Sequence, residues 1–151
     1  MIVRQAITAD RASICGVHRS SARSLGGGFY THEQVERWVS VMTPDRYTPH
    51  IDNIVVAEEH GSIVGFAWLG EDGTIHAVYV APGAAGKGVG SALLKRVEEI
   101  AAERGHQSVT LEASLNAVPF YERHGFVAEG ATSFHPAPDV EIRATKMSKR
   151  I

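Results

Sequence analysis

The fold is decided by the stretch Val78-Tyr79-Val80-Ala81-Pro82-Gly83-Ala84-Ala85-Gly86-Lys87-Gly88-Val89-Gly90. An apolar segment of strand type leads into closely spaced glycines, and a helical pattern begins directly behind them. Glycines let backbone N–H groups converge without obstruction by Cβ atoms, and a helix N-terminus adds the positive end of a dipole. The stretch therefore predicts a strand, a turn and a helix that together hold an anion such as a phosphate, with the charge of Lys87 at the rim.

Two common phosphate-binding motifs do not fit this spacing. A Walker loop needs Lys followed by Ser or Thr, whereas Gly88 follows Lys87. A dinucleotide-binding fingerprint needs G-x-G-x-x-G after the first strand, whereas Gly86, Gly88 and Gly90 are spaced differently and follow the fourth predicted strand. A tight turn without a ligand is the alternative, but three glycines beside a helix start are costly unless a ligand or close packing requires them.

The periodicity on either side of this stretch predicts an α/β domain. The order is a strand, two helices, three strands, a helix, a strand, a helix and two strands, with one βαβ unit around the long helix. Such an order predicts a mostly antiparallel sheet. Strands are expected over residues 2–7, 53–59, 62–69, 74–81, 108–114, 126–134 and 140–147, and helices over 11–23, 31–42, 88–104 and 116–124.

Composition excludes several classes of protein. The 151 residues fit a single domain spanning 1–151, and 44% hydrophobic with 21% charged residues is typical of a globular protein. The formal charge of −2 argues against nucleic acid as the main partner. A lone Cys15 allows no intramolecular disulfide and no Cys-based zinc site, and the eight scattered histidines predict no metal. Without a signal-peptide pattern or an apolar run of about 20 residues, we expect a cytoplasmic protein with no membrane partner.

Two motifs resemble those of the GCN5-related N-acetyltransferase (GNAT) family. The first is V-x-V-x-P at 78–82 followed by G-K-G-V-G at 86–90 and S-A-L-L at 91–94, which resembles the family's coenzyme A loop. The second is N-x-x-x-F-Y-x-x-x-G-F at 116–126. The order of elements also matches the family along the whole chain. One departure is Ala85, which stands where the family usually has Gln or Arg.

The resemblance implies a fold and a cosubstrate. The fold is a mixed, mostly antiparallel central sheet of about seven strands flanked by about four helices, with splayed fourth and fifth strands. Acetyl-CoA would be the acyl donor, with its pantetheine arm between those strands and its pyrophosphate on the glycine loop. The residues that would bind it are Val78, Tyr79, Val80, Ala85, Gly86, Lys87, Gly88, Val89, Gly90, Ser91, Asn116 and Phe120.

Acyl transfer to an amine needs a proton acceptor for the amine and a proton donor for the departing thiolate. The resemblance assigns the acid to Tyr121, whose ordinary pKa keeps it protonated at neutral pH. His76 is the predicted base, because strand alternation would put it on the same face as Val78 and Val80. Glu112 on the neighbouring strand is the rival base. We predict that Asn116 caps the following helix, and it could also contact the pantetheine; capping alone is the alternative.

The predicted activity is transfer of an acetyl group from acetyl-CoA to a primary amine by direct attack in a ternary complex. The acceptor is expected to be a small molecule, with residues 26–30 and 133–139, including His135, as candidate walls of its site. The alternatives are a non-catalytic acyl-CoA-binding module and an acetyltransferase acting on protein N-termini or lysines. Cys15 is not expected to act as a nucleophile. Free strand edges also predict a homodimer as one assembly.

Overall fold

The computed structural model describes residues 1–25 and 28–151, and these form a seven-stranded sheet with four α-helices. The strand order is β1-β2-β3-β4-β5-β7-β6, and all neighbours are antiparallel except β4 and β5. The predicted order of elements and the mixed, mostly antiparallel sheet are confirmed. The elements are β1 Ile2–Gln5, α1 Arg11–Ser24, α2 His32–Ser40, β2 Ile54–Glu59, β3 Ser62–Leu69, β4 Thr74–Val80, α3 Val89–Glu103, β5 Ser108–Ser114, α4 Val118–Arg123, β6 Val127–Ala137 and β7 Val140–Arg150.

Helices cover both faces of the sheet, and each face has its own apolar core. On one face α1 and α2 bury side chains such as Ile14 and Trp38 against Phe66 of β3. On the other face α3 and α4 bury Leu93 and Tyr121, among others, against β3 and β5. A strand between two such layers is apolar on both sides, which explains why β2 and β3 read as continuous hydrophobic runs.

Gly65 lets α3 approach the sheet closely. A Cβ atom at this position would lie 2.9 Å from Leu93 Cδ1, 3.0 Å from the Tyr79 carbonyl oxygen and 3.1 Å from Val89 Cγ1. Any side chain would therefore force Leu93, Val89 or the β4 backbone to shift. The glycine keeps the start of the helix, and with it the loop in front of the helix, against the centre of the sheet.

Local signals predicted most of the turns and caps. His60 and Gly61 both have positive φ, of 50° and 78°, as a two-residue hairpin between β2 and β3 requires. Thr31 caps α2 by accepting the Gln34 N–H, and the Gln34 side chain accepts the Thr31 N–H in return. These four-residue and two-residue patterns depend only on neighbours in the chain, so the sequence suffices to predict them.

Two elements differ from the sequence prediction. No element is predicted between the helix ending at residue 42 and the strand beginning at residue 53, whereas Pro44–Asn53 form a 3₁₀ helix with Pro44 in its first turn. The last hairpin is also longer than expected: β6 continues to Ala137 and β7 begins at Val140, so the predicted loop 133–139 is mostly strand. Pro136 is tolerated there because β6 is an edge strand. Within the described ranges, no helix is long and apolar enough to cross a membrane.

Candidate functional site

A gap opens in the middle of the sheet between β4 and β5. The two strands pair only at Thr74 with Thr110 and at Ile75 with Leu111, and then diverge. Ala81 donates its N–H to β3, at Val64. Because backbone polar groups alternate sides along a strand, those of Val78 and Val80 point away from β3 and into the gap. The gap therefore presents unpaired strand groups to an extended ligand.

Helix α1 reaches one of these groups. The Ser21 hydroxyl donates a 2.7 Å hydrogen bond to the Val80 carbonyl. The carbonyl retains a second lone pair, and the Val80 N–H keeps its direction into the gap. Helix α1 thus limits the gap at this end without filling it.

A β-bulge places His76 on a different face from the one predicted. Trp68 of β3 pairs with Ala77 and Leu69 pairs with Ile75, so His76 has no partner on β3. Ile75 packs in the core under α3, whereas Ala77 packs in the core under α1. The prediction that His76 shares a face with Val78 and Val80 is wrong, because the extra residue breaks strict alternation. The imidazole lies instead on the α1 side, 4.9 Å from the Trp68 ring between centroids.

The two candidate bases meet on this face. Val109, Leu111 and Ala113 of β5 pack under α3, so Glu112 points to the α1 side, where it lines one pocket with His76. Burial lowers the pKa of His76 below its usual value, the nearby carboxylates of Asp72 and Glu112 oppose this, and His50 adds to it. A lowered pKa leaves the imidazole neutral and able to accept a proton at neutral pH.

Tyr121 approaches the gap from the opposite face. Its ring is 7% exposed and packs edge-on against Phe120 and Phe126, with centroids 5.2 and 5.5 Å away. Its side chain lines the narrow part of the gap together with Val78 and Ser114. Burial raises the pKa of the phenol, so the hydroxyl stays protonated well beyond neutral pH. The structure thus places the predicted acid on the α4 side and both candidate bases on the α1 side.

The glycine loop has the geometry of an anion-binding nest. Gly86 and Gly88 have φ of 77° and 83°, and residues 85–88 are exposed. Gly88 precedes the first residue of α3 and no side chain caps the helix. The first N–H groups of α3 have no acceptor within the helix and point out of the loop. Lys87 adds a positive charge beside them, so the loop can bind a negatively charged group.

Contacts between α3 and α4 hold this loop against the second motif. A Cβ atom on Gly90 would lie 3.3 Å from the Phe120 ring, so the ring covers the helix start. The His124 Nδ1–H donates to the Phe120 carbonyl at 2.8 Å, and the Ser91 hydroxyl lies 2.9 Å from Nε2. Since a carbonyl only accepts, Nε2 of the neutral ring accepts from Ser91. The pattern of residues 116–126 therefore has a structural role in addition to supplying Tyr121.

Two further predictions concern Asn116 and the candidate acceptor loop 26–30. Asn116 is exposed in a 3₁₀ turn, Leu115–Ala117, and α4 begins at Val118 without a side-chain cap, so the capping prediction is wrong. The turn interposes a residue between Asn116 and the helix. Gly26 and Gly27 of the predicted acceptor loop lie outside the described residues. At the end of that loop, Tyr30 is buried and its hydroxyl donates to the Arg143 carbonyl while accepting the Leu115 N–H.

Sequence reasoning missed two polar residues that line the pocket beside His76 and a third that stacks on one of its walls. They are His18 of α1, with Arg46 and His50 of the 3₁₀ helix; His18 and Arg46 line the pocket, and His50 stacks on Trp68. The dipeptide Thr43-Pro44 is a helix-start signal that could have revealed the 3₁₀ helix. No local signal marks His18, because it lies on an ordinary apolar helix face. His135, by contrast, was predicted as a wall residue and lines this pocket.

Metal-ligating side chains and the single thiol are the remaining candidate groups. In the part of the chain that the structure describes, no three side chains of His, Cys, Asp or Glu come together as a metal site. Cys15 is buried in α1, and burial raises the pKa of its thiol. A thiol with a raised pKa is a poor nucleophile.

Comparisons with known proteins agree with this geometry. Residues 28–151 match the family model of the acetyltransferase (GNAT) domain. YhfO of Bacillus subtilis, an uncharacterised N-acetyltransferase, is 26% identical over 138 residues, which are 83% of this chain and 89% of that protein. The uncharacterised N-acetyltransferase MJ1207 of Methanocaldococcus jannaschii is 34% identical over 88 residues, or 50% of this chain. That match covers only 39% of the archaeal protein.

Solved structures show the same fold. A GCN5-related N-acetyltransferase from Rhodopseudomonas palustris superimposes with a TM-score of 0.92 at 27% identity, covering 99% of this chain and 95% of that one. The PaiA N-acetyltransferase from Thermoplasma acidophilum, solved in complex with coenzyme A, superimposes with a TM-score of 0.79 at 18% identity. That superposition covers 99% of this chain and 98% of that one.

Proposed function

The chain belongs to the GNAT acetyltransferase family, and on that premise we propose that it transfers an acetyl group from acetyl-CoA to a primary amine of a small molecule. The observation that carries this proposal is the gap between β4 and β5. It has an anion-binding loop at one end and a pocket with two proton acceptors at the other. A donor with a phosphate end and a reactive thioester end needs both.

The donor would lie along the gap. The pantetheine amides would bond the free polar groups of Val78 and Val80, and the pyrophosphate would bind the N–H groups of the loop. Tyr79 flanks the gap from the α1 side, and Phe120 closes the start of α3. The residues proposed to bind the donor remain Val78, Tyr79, Val80, Ala85, Gly86, Lys87, Gly88, Val89, Gly90, Ser91, Asn116 and Phe120, of which Val89 is buried and acts through its backbone.

The reaction would proceed by direct attack. The amine nitrogen forms a bond to the thioester carbonyl carbon, and gap-facing N–H groups of β4 stabilise the oxyanion. Collapse breaks the C–S bond and leaves the thiolate, which takes the proton of the Tyr121 hydroxyl. The proton lost by the amine goes to His76 or Glu112, directly or through water. The products are the N-acetyl amine and coenzyme A.

Tyr121→Phe tests the acid. The substitution removes one hydroxyl and keeps the ring packing, and no hydrogen bond joins that hydroxyl to another side chain or backbone group of the described residues. We therefore expect unchanged binding of coenzyme A and an unfolding free energy within about 0.5 kcal/mol of the parent. The expected kcat is about 100-fold lower, the lower range for general acid catalysis. An unchanged kcat at saturating acetyl-CoA, with a rate-limiting chemical step, would remove Tyr121 from this role.

The two bases are separated by His76→Gln and Glu112→Gln, which keep size and polarity but remove titration. The variant of the residue that acts as the base should have a lower kcat, and its pH profile should lack the acidic limb. The other variant keeps that limb. If both single variants keep a parental pH profile, neither residue is the base.

A non-catalytic acyl-CoA-binding module is the second candidate, favoured by one observation. Ala85 is exposed at the edge of the loop and has no side chain to contact a phosphate. Calorimetry with acetyl-CoA followed by a thiol-release assay over small amines and lysine peptides separates the candidates. Binding without release supports the module, while release with peptides alone supports a protein acceptor. Ala85→Arg is expected to tighten coenzyme A binding in every case.

The exposed edges of the sheet and the free thiol support a proposed assembly and a proposed location. The sheet has exposed edges at β1 and β6, with Ile2 and Val127 among the exposed large apolar residues, so two copies could pair there. Light scattering after gel filtration tests the homodimer. A buried free thiol at Cys15 is compatible with the cytoplasm as the proposed location.

A further inference from the structure

The pocket on the α1 face is built around aromatic rings and has two distinct polar ends. Its volume is about 230 Å³, and Trp38, Trp68, Tyr79 and Phe134 supply apolar walls. His76 and Glu112 stand where the pocket joins the gap. The other polar end is formed by two residues that the proposed reaction does not use, His18 and Arg46.

His18 offers a hydrogen-bond donor at that other end. The side chain is 8% exposed, and its Nδ1 lies 2.8 Å from the hydroxyl of Tyr47, which is 0% exposed. Within the described ranges, His18 Nδ1 is the only partner of that hydroxyl. The hydroxyl must therefore donate to Nδ1, because a buried O–H without an acceptor is costly. The ring then carries its proton on Nε2.

The Nε2–H group faces open space. No hydrogen bond of the described residues uses it. Every side-chain nitrogen or oxygen of those residues that is shielded from solvent has a hydrogen-bond partner, so an Nε2 without a partner must be accessible. Nε2 is consequently reached from the pocket that His18 lines. Burial, and secondarily the charge of Arg46, lowers the pKa of the ring to about 3, so the imidazole stays neutral and its polarity is fixed.

Arg46 adds a positive charge at the same end. It is exposed on the 3₁₀ helix Pro44–Asn53 and lines the pocket. Among the residues that the structure describes, it takes part in no ion pair. Arg4 and Arg37, by contrast, each bond a carboxylate of the chain itself. A neutral donor beside a free guanidinium is the arrangement that binds a carboxylate, with one oxygen on each group.

We propose that the acceptor is an amino-acid-like zwitterion, whose carboxylate binds Arg46 and His18 Nε2–H and whose amine lies between His76 and Glu112. The proposal rests on the acyltransfer proposed above and adds the class of amine. Glu112 attracts the ammonium form, and the aromatic walls accommodate an apolar side chain. The two ends carry opposite charge preferences, so a simple amine satisfies only one of them.

Matched substrates that differ only in the carboxylate test the proposal. The pairs are phenylalanine with phenethylamine and alanine with ethylamine, each assayed by thiol release from acetyl-CoA. We expect kcat/KM at least tenfold higher for the amino acid of one pair or both. Arg46→Met should raise KM for that amino acid at least tenfold while changing kcat/KM for its amine less than threefold. Arg150→Met, an exposed arginine at the end of β7, serves as the matched control.

The role of His18 is tested by replacing it with Gln or Asn, whose side-chain amides extend to different distances from the backbone. Gln places its amide near the position of Nε2 and Asn near that of Nδ1. His18→Gln should keep most of the preference for the carboxylate, and His18→Asn should lose it. Tyr47→Phe is the alternative test if the histidine variants do not fold. It keeps the ring packing but no longer fixes the proton of His18 on Nε2, so it should weaken the preference for the carboxylate.

A binding measurement decides the question without turnover. Titration of the coenzyme A-saturated protein with phenylacetate and with neutral phenylacetamide is followed by NMR. Tighter binding of phenylacetate that is lost in Arg46→Met supports the carboxylate site even if no amine releases thiol, an outcome that would refute only the acyltransfer. Equal binding of phenylacetate and phenylacetamide overturns the proposal. So does a kcat/KM for thiol release that is the same for the amino acid and the amine of both pairs and is unchanged in Arg46→Met.

Discussion

Gly88→Ala isolates the backbone conformation of the glycine loop, which we propose binds the coenzyme A pyrophosphate, from its packing. Gly88 has φ of 83°, and a Cβ atom there would meet nothing within 4 Å. The substitution therefore adds no clash, and its whole cost is that of a left-handed alanine, about 1–2 kcal/mol. If the free loop relaxes, the cost falls on ligand binding and raises the Kd of coenzyme A about 5- to 30-fold.

If the loop keeps its conformation in the free protein, the same energy is lost from folding instead. The loss in binding and the loss in unfolding free energy should thus sum to about 1–2 kcal/mol. Calorimetric titration with coenzyme A and urea denaturation measure the two parts. Gly88→Asn should recover some of the loss, because asparagine tolerates this region better than alanine.

Gly83→Ala is the matched control. Its Cβ atom would also meet nothing within 4 Å, and its φ is not in the left-handed range. We expect neither affinity nor stability to change by more than about 0.5 kcal/mol. If Gly88→Ala matches Gly83→Ala in both measurements, the left-handed conformation contributes nothing to the loop and the anion-nest argument fails.

Three further outcomes are expected. Gly65→Ala should lower the unfolding free energy in urea by about 1–3 kcal/mol, since its Cβ would lie 2.9 Å from Leu93 Cδ1; parental stability would show that α3 shifts at no cost. If His76 is the base, kcat/KM should fall as pH drops through its pKa, with a midpoint below the usual value of about 6.5, and a midpoint above that value would contradict the assigned environment. His18 has a pKa lowered to about 3 in the folded chain, so the unfolded chain binds the extra proton and stability is lost as pH falls below about 6.5, by up to about 1.4 kcal/mol per pH unit; His18→Gln should flatten that slope, and an equal slope in both proteins would show that other groups cause it.

The glycine loop and the second motif were accessible to sequence reasoning because both are contiguous. A strand, a left-handed glycine and a helix start are set by neighbouring residues, and so are the Thr31 cap and the His60-Gly61 turn. Tyr121 could be named for the same reason, since its motif places it on a short helix directly after β5. Contiguity also accounts for the predicted wall segment 133–139, of which Phe134, His135 and Pro136 line the pocket, although they lie in β6 and not in a loop.

The correction for His76 involves a partner distant in the chain, whereas the correction for Asn116 involves a local turn. The face of His76 depends on the register between β3 and β4, where one unpaired residue reverses the alternation. The prediction for Asn116 failed because a 3₁₀ turn, and not the asparagine side chain, begins α4. Neither register slips nor such turns leave a mark in hydrophobic periodicity.

The sequence by itself determined the class of fold, the glycine turn before α3 and the family, because short-range backbone geometry and periodic burial depend on consecutive residues. Only the tertiary structure decided which side chains share the pocket on the α1 face. Helix α1 brings His18, the 3₁₀ helix brings Arg46, and two strands bring His76 and Glu112 to one face. Their convergence follows from strand register, a bulge and helix packing, which are properties of the folded chain and not of any single segment.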